Sequence, residues 1–326
     1  MNLRRWTQRI GGPLLALALA CGAGAALAET YPSRPLKLLV GFSPGGATDQ
    51  LARLYAQKLT ERLGQSVVVE NRAGAGGNLA VQLVTQSPAD GYTLVMAANY
   101  VAVNAALKRN PYEWERDLAP VALVASTPNL LVVPAQSKLK SYPDLVAAAK
   151  APGNRLSFGS PGMGSSVHLA GELFKVMTSV DMLHVPYKGV APAELDLMAG
   201  NIDLMFDSIS TAAPLAEAGK LRAIAVTGMQ RLNALPGIPT LDELGLKGFD
   251  VEATYMVLAP AKTPADVLER LSAAVAAVSR MADVQRVVEG LYARPLAGGA
   301  EETRAFLRAE EAKWRAVVKS SGLKID

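Results

Sequence analysis

Short apolar runs alternate with amphipathic stretches along most of the chain. The apolar runs have the length of buried strands, and the stretches between them repeat their apolar residues at helical spacing. The predicted strands cover residues 36–40, 67–69, 92–96, 130–133, 156–158, 202–206 and 221–226, and the predicted helices cover residues 48–63, 142–149, 167–177 and 191–198. This alternation predicts an α/β fold in which helices cover both faces of a largely parallel sheet.

The pattern changes after Val257. Thr263 and Pro264 form a good helix start, with a capping hydroxyl followed by proline in the first turn. A long helical region is predicted from there to about Tyr292, and a final amphipathic helix is predicted over residues 301–319. We expect these helices to pack on a lobe of the protein rather than to carry chemistry.

The first 28 residues have the organisation of a secretory signal. Three arginines precede an apolar run at residues 13–20, and Ala26-Leu27-Ala28 provides a small-x-small cleavage site. Cys21 raises a lipid anchor as an alternative, but the third residue before it is Ala18 rather than leucine. We therefore expect an exported protein, cleaved after Ala28 and then without cysteine, which excludes thiol catalysis and disulfides.

Charge gives no case for nucleic-acid binding. The chain has 33 Lys and Arg against 29 Asp and Glu, and three of the arginines lie in the predicted signal, so the rest is close to neutral. Half of the residues are apolar, and the chain is long enough for two lobes with a core in each.

The most informative loop joins the first predicted strand to the first predicted helix, at residues 41–49. Gly45 and Gly46 allow the backbone to approach a ligand closely, and Thr48 or Asp49 suits a helix cap. The first amides of a helix lack internal partners and carry partial positive charge, so this turn suits a carboxylate or phosphate. The alternative is an ordinary strand-to-helix turn. The spacing matches neither the phosphate loop nor the dinucleotide fingerprint.

A second loop of this kind lies at residues 160–168 and also precedes a predicted helix. The hydroxyls of Ser165 and Ser166, together with the amides of residues 164–167, suit one oxyanion. A simple helix cap explains the serines as well. Ligands of open α/β sheets collect at the carboxyl ends of strands, where both loops are predicted. The two loops therefore indicate a single carboxylate held between two lobes.

Ser166 and His168 also suggest a hydrolase, since a serine beside a histidine is a common nucleophile pair. Their close spacing does not place them for proton transfer, and the nucleophile elbow G-x-S-x-G is absent. With His168 and His184 as the only histidines, no metal site is expected. His184 is interpreted as a core histidine in a buried strand. Asp207, at the exit of a predicted strand, is either a ligand contact or part of a surface turn.

Six runs follow one another along the chain: YPSRP at 31–35, PGGATD at 44–49, ENRAGAGGN at 70–78, PADGYTL at 88–94, GSSVHL at 164–169 and HVPYKG at 184–189. Together they resemble the periplasmic solute-binding proteins of tripartite tricarboxylate transporters, often called the Bug family. The resemblance covers nearly the whole chain after the predicted signal.

This resemblance implies a two-lobed periplasmic-binding-protein fold, the type II Venus flytrap, in which the chain crosses twice between lobes. The expected crossings lie near Ala125 and Glu252. The first lobe would then hold residues 29–124 and 253–326, and the second lobe residues 125–252. The resemblance also implies that both loops hold a ligand carboxylate, with no catalytic residue, metal or cofactor.

The predicted ligand-binding residues come from the two loops and from strand ends at the expected cleft: Phe42, Gly45, Gly46, Ala47, Thr48, Asp49, Asn99, Ser160, Gly164, Ser165, Ser166, His168 and Asp207. Two positions leave the ligand open. Family members often have proline or another small residue in place of Ser43, and threonine or serine near Asn99. The neighbouring Tyr100 favours an aromatic acid if its ring stacks on the ligand, and otherwise it is ordinary helix packing.

The resemblance implies a monomeric periplasmic receptor that captures a small organic carboxylate and delivers it to the permease subunits of a tripartite transporter. The carboxylate would be a di- or tricarboxylate, an amino acid or an aromatic acid. A sensor of the same fold that reports its ligand to a membrane kinase is an alternative that the sequence does not separate from transport.

Overall fold

The computed structural model describes residues 31–108, 110–232 and 234–321 of the 326-residue chain. The predicted signal, residues 1–28 with Cys21, lies outside these ranges. Among the described residues, no helix combines the length and the apolar character that crossing a bilayer requires.

The strands are β1 (Leu36–Val40), β2 (Val67–Asn71), β3 (Thr93–Ala98), β4 (Leu118–Pro134), β5 (Ser157–Ser160), β6 (Leu183–Pro186), β7 (Leu204–Ser208), β8 (Leu221–Val226), β9 (Glu252–Pro260) and β10 (Arg294–Pro295). The helices are α1 (Ala47–Leu63), α2 (Asn78–Thr85), α3 (Tyr100–Ala106), α4 (Trp114–Asp117), α5 (Tyr142–Lys150), α6 (Ser166–Thr178), α7 (Val190–Ala199), α8 (Ile209–Glu217), α9 (Ala265–Ser279), α10 (Ala282–Gly290) and α11 (Ala300–Ser321). A short 3-10 turn, Ala75–Gly77, precedes α2.

The strands form a continuous sheet in the order β2-β1-β3-β9-β4-β7-β5-β6, and β8 and β10 also pair with β4. The β1 strand runs parallel to β2 and β3, and β5 runs parallel to β6 and β7, as the alternating sequence pattern predicts. At the centre, β9 is antiparallel to both β3 and β4. The sheet is therefore mixed rather than largely parallel.

The 17-residue strand β4 connects two halves of this sheet. It pairs with β9 as far as Pro128, and from Asn129 onward it pairs with β7 and β8. The chain returns between the end of β8 and the start of β9, where Glu252 pairs with Pro128. Both passages between the halves therefore lie side by side on neighbouring strands.

Each half of the sheet has its own hydrophobic core, and we call the two halves with their covering helices the first and the second lobe. The first core is built around buried residues of β1, β3 and β9 and includes Leu38 and Val257. The second is built around β5, β7 and the end of β4 and includes Phe158 and Phe206. These strands hold apolar residues on both faces because helices cover the sheet from both sides.

The C-terminal helix α11 contacts both cores. Leu307, near its start, belongs to the first core, whereas Trp314, two turns later, is 1% exposed and belongs to the second. The Trp314 indole donates a hydrogen bond of 2.7 Å to Glu310. The helical region predicted from Pro264 to about Tyr292 consists of two helices, α9 and α10, between which the chain turns at Arg280.

Candidate functional site

The helix α1 starts where the first loop, residues 41–46, turns away from the end of β1. Gly45 has φ +97°, a left-handed conformation that favours glycine, and Gly46 is the extended cap residue. Ala47 and Thr48 occupy the first two helical positions, where no preceding carbonyl reaches their amides. The positive end of the helix therefore presents free donors beside the loop.

Asp49, in the first turn of α1, is engaged by the protein itself. Its carboxylate accepts hydrogen bonds from the Gly45 amide at 3.0 Å, from Arg53 at 2.9 Å and from Asn71 at 2.9 Å. Although burial favours the neutral acid, these bonds from Arg53, Asn71 and Gly45 hold the pKa of Asp49 below its ordinary value. Asp49 thus fixes the first loop and carries a negative charge at neutral pH.

In the second lobe, α6 starts from a similar loop, residues 161–165, which we call the second loop. Ser165 caps the helix, because its hydroxyl oxygen accepts from the His168 amide at 3.3 Å and its hydroxyl donates to the Gly162 carbonyl at 2.8 Å. Ser166 and Val167 occupy the first two helical positions. The sequence Ser165-Ser166 therefore supplies both a cap and free helix amides.

The two helix starts face one cavity of about 50 Å³ between the lobes. Its lining comes from both loops, both helix starts and the neighbouring strand ends: Phe42, Ser43, Gly46, Ala47, Thr48, Asp49, Ala98, Tyr100, Asn129, Pro161, Ser165, Ser166, Val167, Val190, Ser208, Ala253 and Tyr255. No lysine, arginine or histidine of the described ranges is among these residues. An anion in this cavity would be held by helix amides and neutral donors.

Asn129 supplies such a donor at the point where β4 passes into the second lobe. It is 1% exposed, and its Oδ1 accepts a hydrogen bond of 3.3 Å from the Ser166 hydroxyl. Its Nδ2 is buried and has no hydrogen-bond partner among the described residues. A buried unpaired donor is costly, so the Asn129 amide suits a ligand oxygen.

Aromatic rings form the apolar side of the cavity. Tyr100 meets Phe42 edge to face with ring centroids 5.7 Å apart, and the Tyr100 hydroxyl lies 3.4 Å from the Gly77 carbonyl. Burial raises the pKa of both Tyr100 and Tyr255, so both hydroxyls are protonated at neutral pH. Tyr100 therefore packs in the first core and also lines the cavity.

The lobes touch directly around the cavity. The Ser43 hydroxyl donates to the Lys188 carbonyl across the cleft at 2.7 Å. A Cβ atom on Gly76 of the first lobe would overlap the Met163 carbonyl, and one on Gly164 of the second would overlap the Asn104 side chain. These contacts describe a closed arrangement of the two lobes.

The structure brings seven of the predicted ligand-binding residues to the cavity: Phe42, Gly46, Ala47, Thr48, Asp49, Ser165 and Ser166. The other six lie around it. Gly45 shapes the first loop, and Gly164 donates its amide to His168. Asn99 donates to the Glu252 carbonyl and to Glu310. The remaining three are Ser160, His168 and Asp207.

Ser160 and His168 lie behind the second loop. Ser160 is fully buried and shares a hydrogen bond of 2.7 Å with Nε2 of His184. His168, which is 1% exposed, accepts from the Gly164 amide through Nδ1. His184 is half-buried on β6, an edge strand where Leu183 is 67% exposed, so the expectation of a buried strand around it is wrong.

Asp207 is fully buried next to the cavity-lining Ser208, so the alternative of a surface turn is wrong. One carboxyl oxygen accepts from the Ser208 amide at 2.7 Å. Burial, followed by the adjacent Glu194 carboxyl, raises the pKa of Asp207 well above its ordinary value. Asp207 therefore keeps its proton to higher pH than an exposed aspartate does, and Oδ2 of Asp207 and Oε1 of Glu194 are both buried with no hydrogen-bond partner among the described residues.

The serine hydroxyls at the start of α6 donate their hydrogen bonds to groups other than the His168 ring. Ser165 donates to Gly162 and Ser166 donates to Asn129. The Ser160–His184 pair has hydrogen-bond geometry, but Ser160 is sealed from the cavity. Within the described ranges, no group of three His, Cys, Asp or Glu side chains is arranged to hold a metal ion.

Sequence reasoning missed most of the lining that comes from outside the two loops. Asn129, Val190, Ser208, Ala253 and Tyr255 lie far apart along the chain and meet through the sheet. Asn129 has a local signal, since it is the polar residue directly before the predicted strand at residues 130–133. A polar residue in a buried strand needs a partner, which is the rule that would have singled it out.

The family described as "Tripartite tricarboxylate transporter family receptor" matches residues 51–323. The chain belongs to this family. The predicted relationship to these receptors is confirmed, and the match covers most of α1 and all later elements.

Three solved structures share the fold. Rpa4515 of R. palustris with adipate is 37% identical, with a TM-score of 0.86 over 90% of this chain and 99% of that chain. The periplasmic binding protein BugD is 30% identical, with a TM-score of 0.84 over 90% and 99%. MatC from Rhodopseudomonas palustris with bound malate is 31% identical, with a TM-score of 0.83 over 88% and 100%. The predicted two-lobed periplasmic-binding-protein fold is therefore confirmed.

Proposed function

We propose that this protein is a periplasmic receptor that captures a small organic carboxylate between its lobes and delivers it to the permease of a tripartite transporter. The observation that carries the proposal is the meeting of two helix N-termini, those of α1 and α6, at one cavity between the lobes. The unpaired Nδ2 of Asn129 adds a side-chain amide donor to the backbone amides of the two helix starts. No acid, base or nucleophile is needed for this task.

The donors supply a large part of the affinity that a receptor needs. Three or four charge-assisted hydrogen bonds at about 1.5–3 kcal/mol each total about 4.5–12 kcal/mol. Apolar contacts with the aromatic side of the cavity must offset the cost of association and closure for a micromolar complex, at ~8 kcal/mol, to form. A carboxylate fits better than an amine, because the charged side chain in the lining, Asp49, is satisfied by the protein. The relatives with adipate and malate support a carboxylate of this size class.

Ligand binding is coupled to the closing of the two lobes. In this proposal the lobes are residues 29–124 with 253–326 and residues 125–252, and they open and close about β4 and β9. A ligand that touches both helix starts binds the closed form better, and so shifts the population towards it. The contacts of Ser43 with Lys188 belong to that closed form.

The test is thermal unfolding of residues 29–326 against aliphatic, amino and aromatic carboxylates, each paired with its amide. A ligand at 100 times its dissociation constant adds about 2.7 kcal/mol, which raises Tm by several degrees. We expect a shift with at least one acid and none with its amide. Equal shifts with acid and amide, or no shift across the panel, would contradict carboxylate capture.

Delivery and export need separate tests. The tagged receptor, loaded with the acid that stabilises it, should retain permease subunits from detergent-solubilised membranes, whereas retention of a membrane kinase would favour a sensor. Mass spectrometry of the protein from the periplasmic fraction should show an N-terminus at Glu29. A lipid-modified Cys21 at the N-terminus would replace cleavage at Ala28.

A further inference from the structure

The two histidines of the chain stack on each other behind the second loop. The ring centroids of His168 and His184 are 4.0 Å apart with an interplanar angle of 21°, and Phe158 stacks on His184 at 4.9 Å. His168 is 1% exposed and neither ring lines the carboxylate cavity. The proposed binding site therefore leaves the role of this pair unexplained.

Each ring is tied to one point of the second loop. The Gly164 amide donates to Nδ1 of His168 at 2.9 Å. His184 bonds through Nε2 to the Ser160 hydroxyl at 2.7 Å, and the Gly162 amide donates to the same hydroxyl oxygen at 3.1 Å. Because Nδ1 of His168 accepts, the proton of the neutral ring is on Nε2, 3.9 Å from a carboxyl oxygen of Glu172.

The second loop, held in this way, contacts the cavity on one face and the first lobe on the other. Pro161 and Ser165 line the cavity. On the other face, the Met163 carbonyl meets Gly76, and Gly164, with φ +75°, packs against Asn104 of the first lobe. Since Gly164 carries the amide that His168 accepts, one hydrogen bond sets the position of the residue that contacts the opposite lobe.

We propose that His168 is a positioning residue for ligand capture, which holds the Gly164 amide and so shapes the second loop both for the carboxylate and for closure against the first lobe. The stacked His184 supports the ring and fixes the other end of the loop through Ser160. This inference rests on the proposed carboxylate site, but the hydrogen bond to Gly164 can be tested without a ligand.

A matched pair of variants isolates the acceptor atom. His168→Asn places Oδ1 close to the position of Nδ1, whereas His168→Leu has a similar branched shape and no acceptor. Both variants lose the stack on His184, so a difference between them reports the hydrogen bond. His168→Gln, whose amide lies one bond further out, is a second variant without an acceptor at this position if the leucine variant does not fold.

Two measurements are made on each variant: amide hydrogen exchange at Gly164, and calorimetric titration with adipate and malate. We expect faster Gly164 exchange in His168→Leu than in His168→Asn, and a Kd about ten-fold higher for whichever acid binds the unaltered protein. Without added acid, the melting temperature should fall by a similar amount in both variants, because both lose the stack on His184.

A purely structural histidine would give a different result. Equal Gly164 exchange and equal Kd in the asparagine and leucine variants would overturn the proposal. If neither acid binds the unaltered protein, the choice of these acids as ligands fails, and Gly164 exchange alone then decides whether His168 holds the loop.

Discussion

The Ser43 hydroxyl donates a hydrogen bond of 2.7 Å to the Lys188 carbonyl oxygen, and the Ser43 amide lies 3.3 Å from the same oxygen. This pair joins the two lobes beside the cavity, and in the proposed function it is present only in the closed form. A bond present in one state alone changes the balance between states.

Ser43→Ala should therefore weaken the binding of a stabilising acid about three-fold, since a neutral hydrogen bond contributes about 1 kcal/mol or less at an exposed site. Calorimetric titration measures the affinity. Ser87→Ala is the control, because its hydroxyl donates to the Leu83 carbonyl at 2.8 Å within one lobe. Equal affinities in the two variants would show that the Ser43 bond does not contribute to closure.

Gly76→Ala should hold the lobes apart. The new Cβ would overlap the Met163 carbonyl of the other lobe, whereas Gly153→Ala places its Cβ in open space. Both glycines have positive φ, +61° and +71°, so both variants carry a similar backbone strain of about 1 kcal/mol. We expect Kd to rise at least about ten-fold in Gly76→Ala only. Small-angle scattering should show a larger radius of gyration in that variant with ligand, and a radius equal to that of Gly153→Ala would contradict the steric argument.

Asn129→Asp keeps the size of the side chain and replaces the unpaired Nδ2 donor with a second acceptor. A carboxylate ligand would then face a like charge inside a buried cavity, so we expect affinity to fall about a hundred-fold. The free energy of unfolding of the unliganded variant should change much less than its free energy of binding to the acid. The amide of the same acid provides the control ligand, and an equal loss for acid and amide would remove Asn129 from carboxylate recognition.

Asp207 should make the stability of the folded protein fall as pH rises. Burial raises the pKa of Asp207 in the folded protein above its ordinary 3.8, so the stability that this group contributes is fully present below pH 3.8 and is lost as pH rises through the folded value. Asp207→Asn keeps the size of the side chain and removes this titration. Urea unfolding between pH 4 and 8 should show a flatter curve for the variant, with its gain largest at the high end. Parallel curves would show that Asp207 does not keep its proton.

His184 should act in the opposite direction. Burial, with a smaller effect of Lys175, lowers the pKa of His184 from 6.5 to about 4. The stability that it contributes is present above pH 6.5 and is lost as pH falls towards 4. His184→Gln places an amide group near the position of Nε2, where it can hydrogen bond to Ser160, and this amide does not titrate. The unaltered protein should lose stability faster than this variant between pH 6.5 and 4, and identical slopes would contradict the lowered pKa.

The local sequence pattern was sufficient to predict the bounds of strands and helices that form from their own residues. The runs at Leu36–Val40 and Leu221–Val226 are strands with the predicted bounds, and α1, α5, α6 and α7 begin and end within a residue of prediction. Their apolar spacing, caps and glycines act over a few residues. The two loops were located for the same reason.

Pairing between distant strands was not accessible in this way. Apart from the expected crossings near Ala125 and Glu252, the extent of β4 and β9 and their pairing with each other were not predicted, because their burial comes from each other and from two lobes. Asn129 and Tyr255 reach the cavity only through that pairing. His168 was placed at the ligand because its neighbours are there, yet α6 turns its ring to the back of the loop.

The helix α11 gives the molecule a third attachment between its halves. At 1.5 Å per residue its 22 residues form a rod about 33 Å long, fixed by Leu307 in one core and by Trp314 in the other. In the proposed receptor, opening about β4 and β9 would therefore also have to bend this helix or release the Trp314 indole from the second core. A tryptophan outside the cavity lining would then limit how far the two lobes separate.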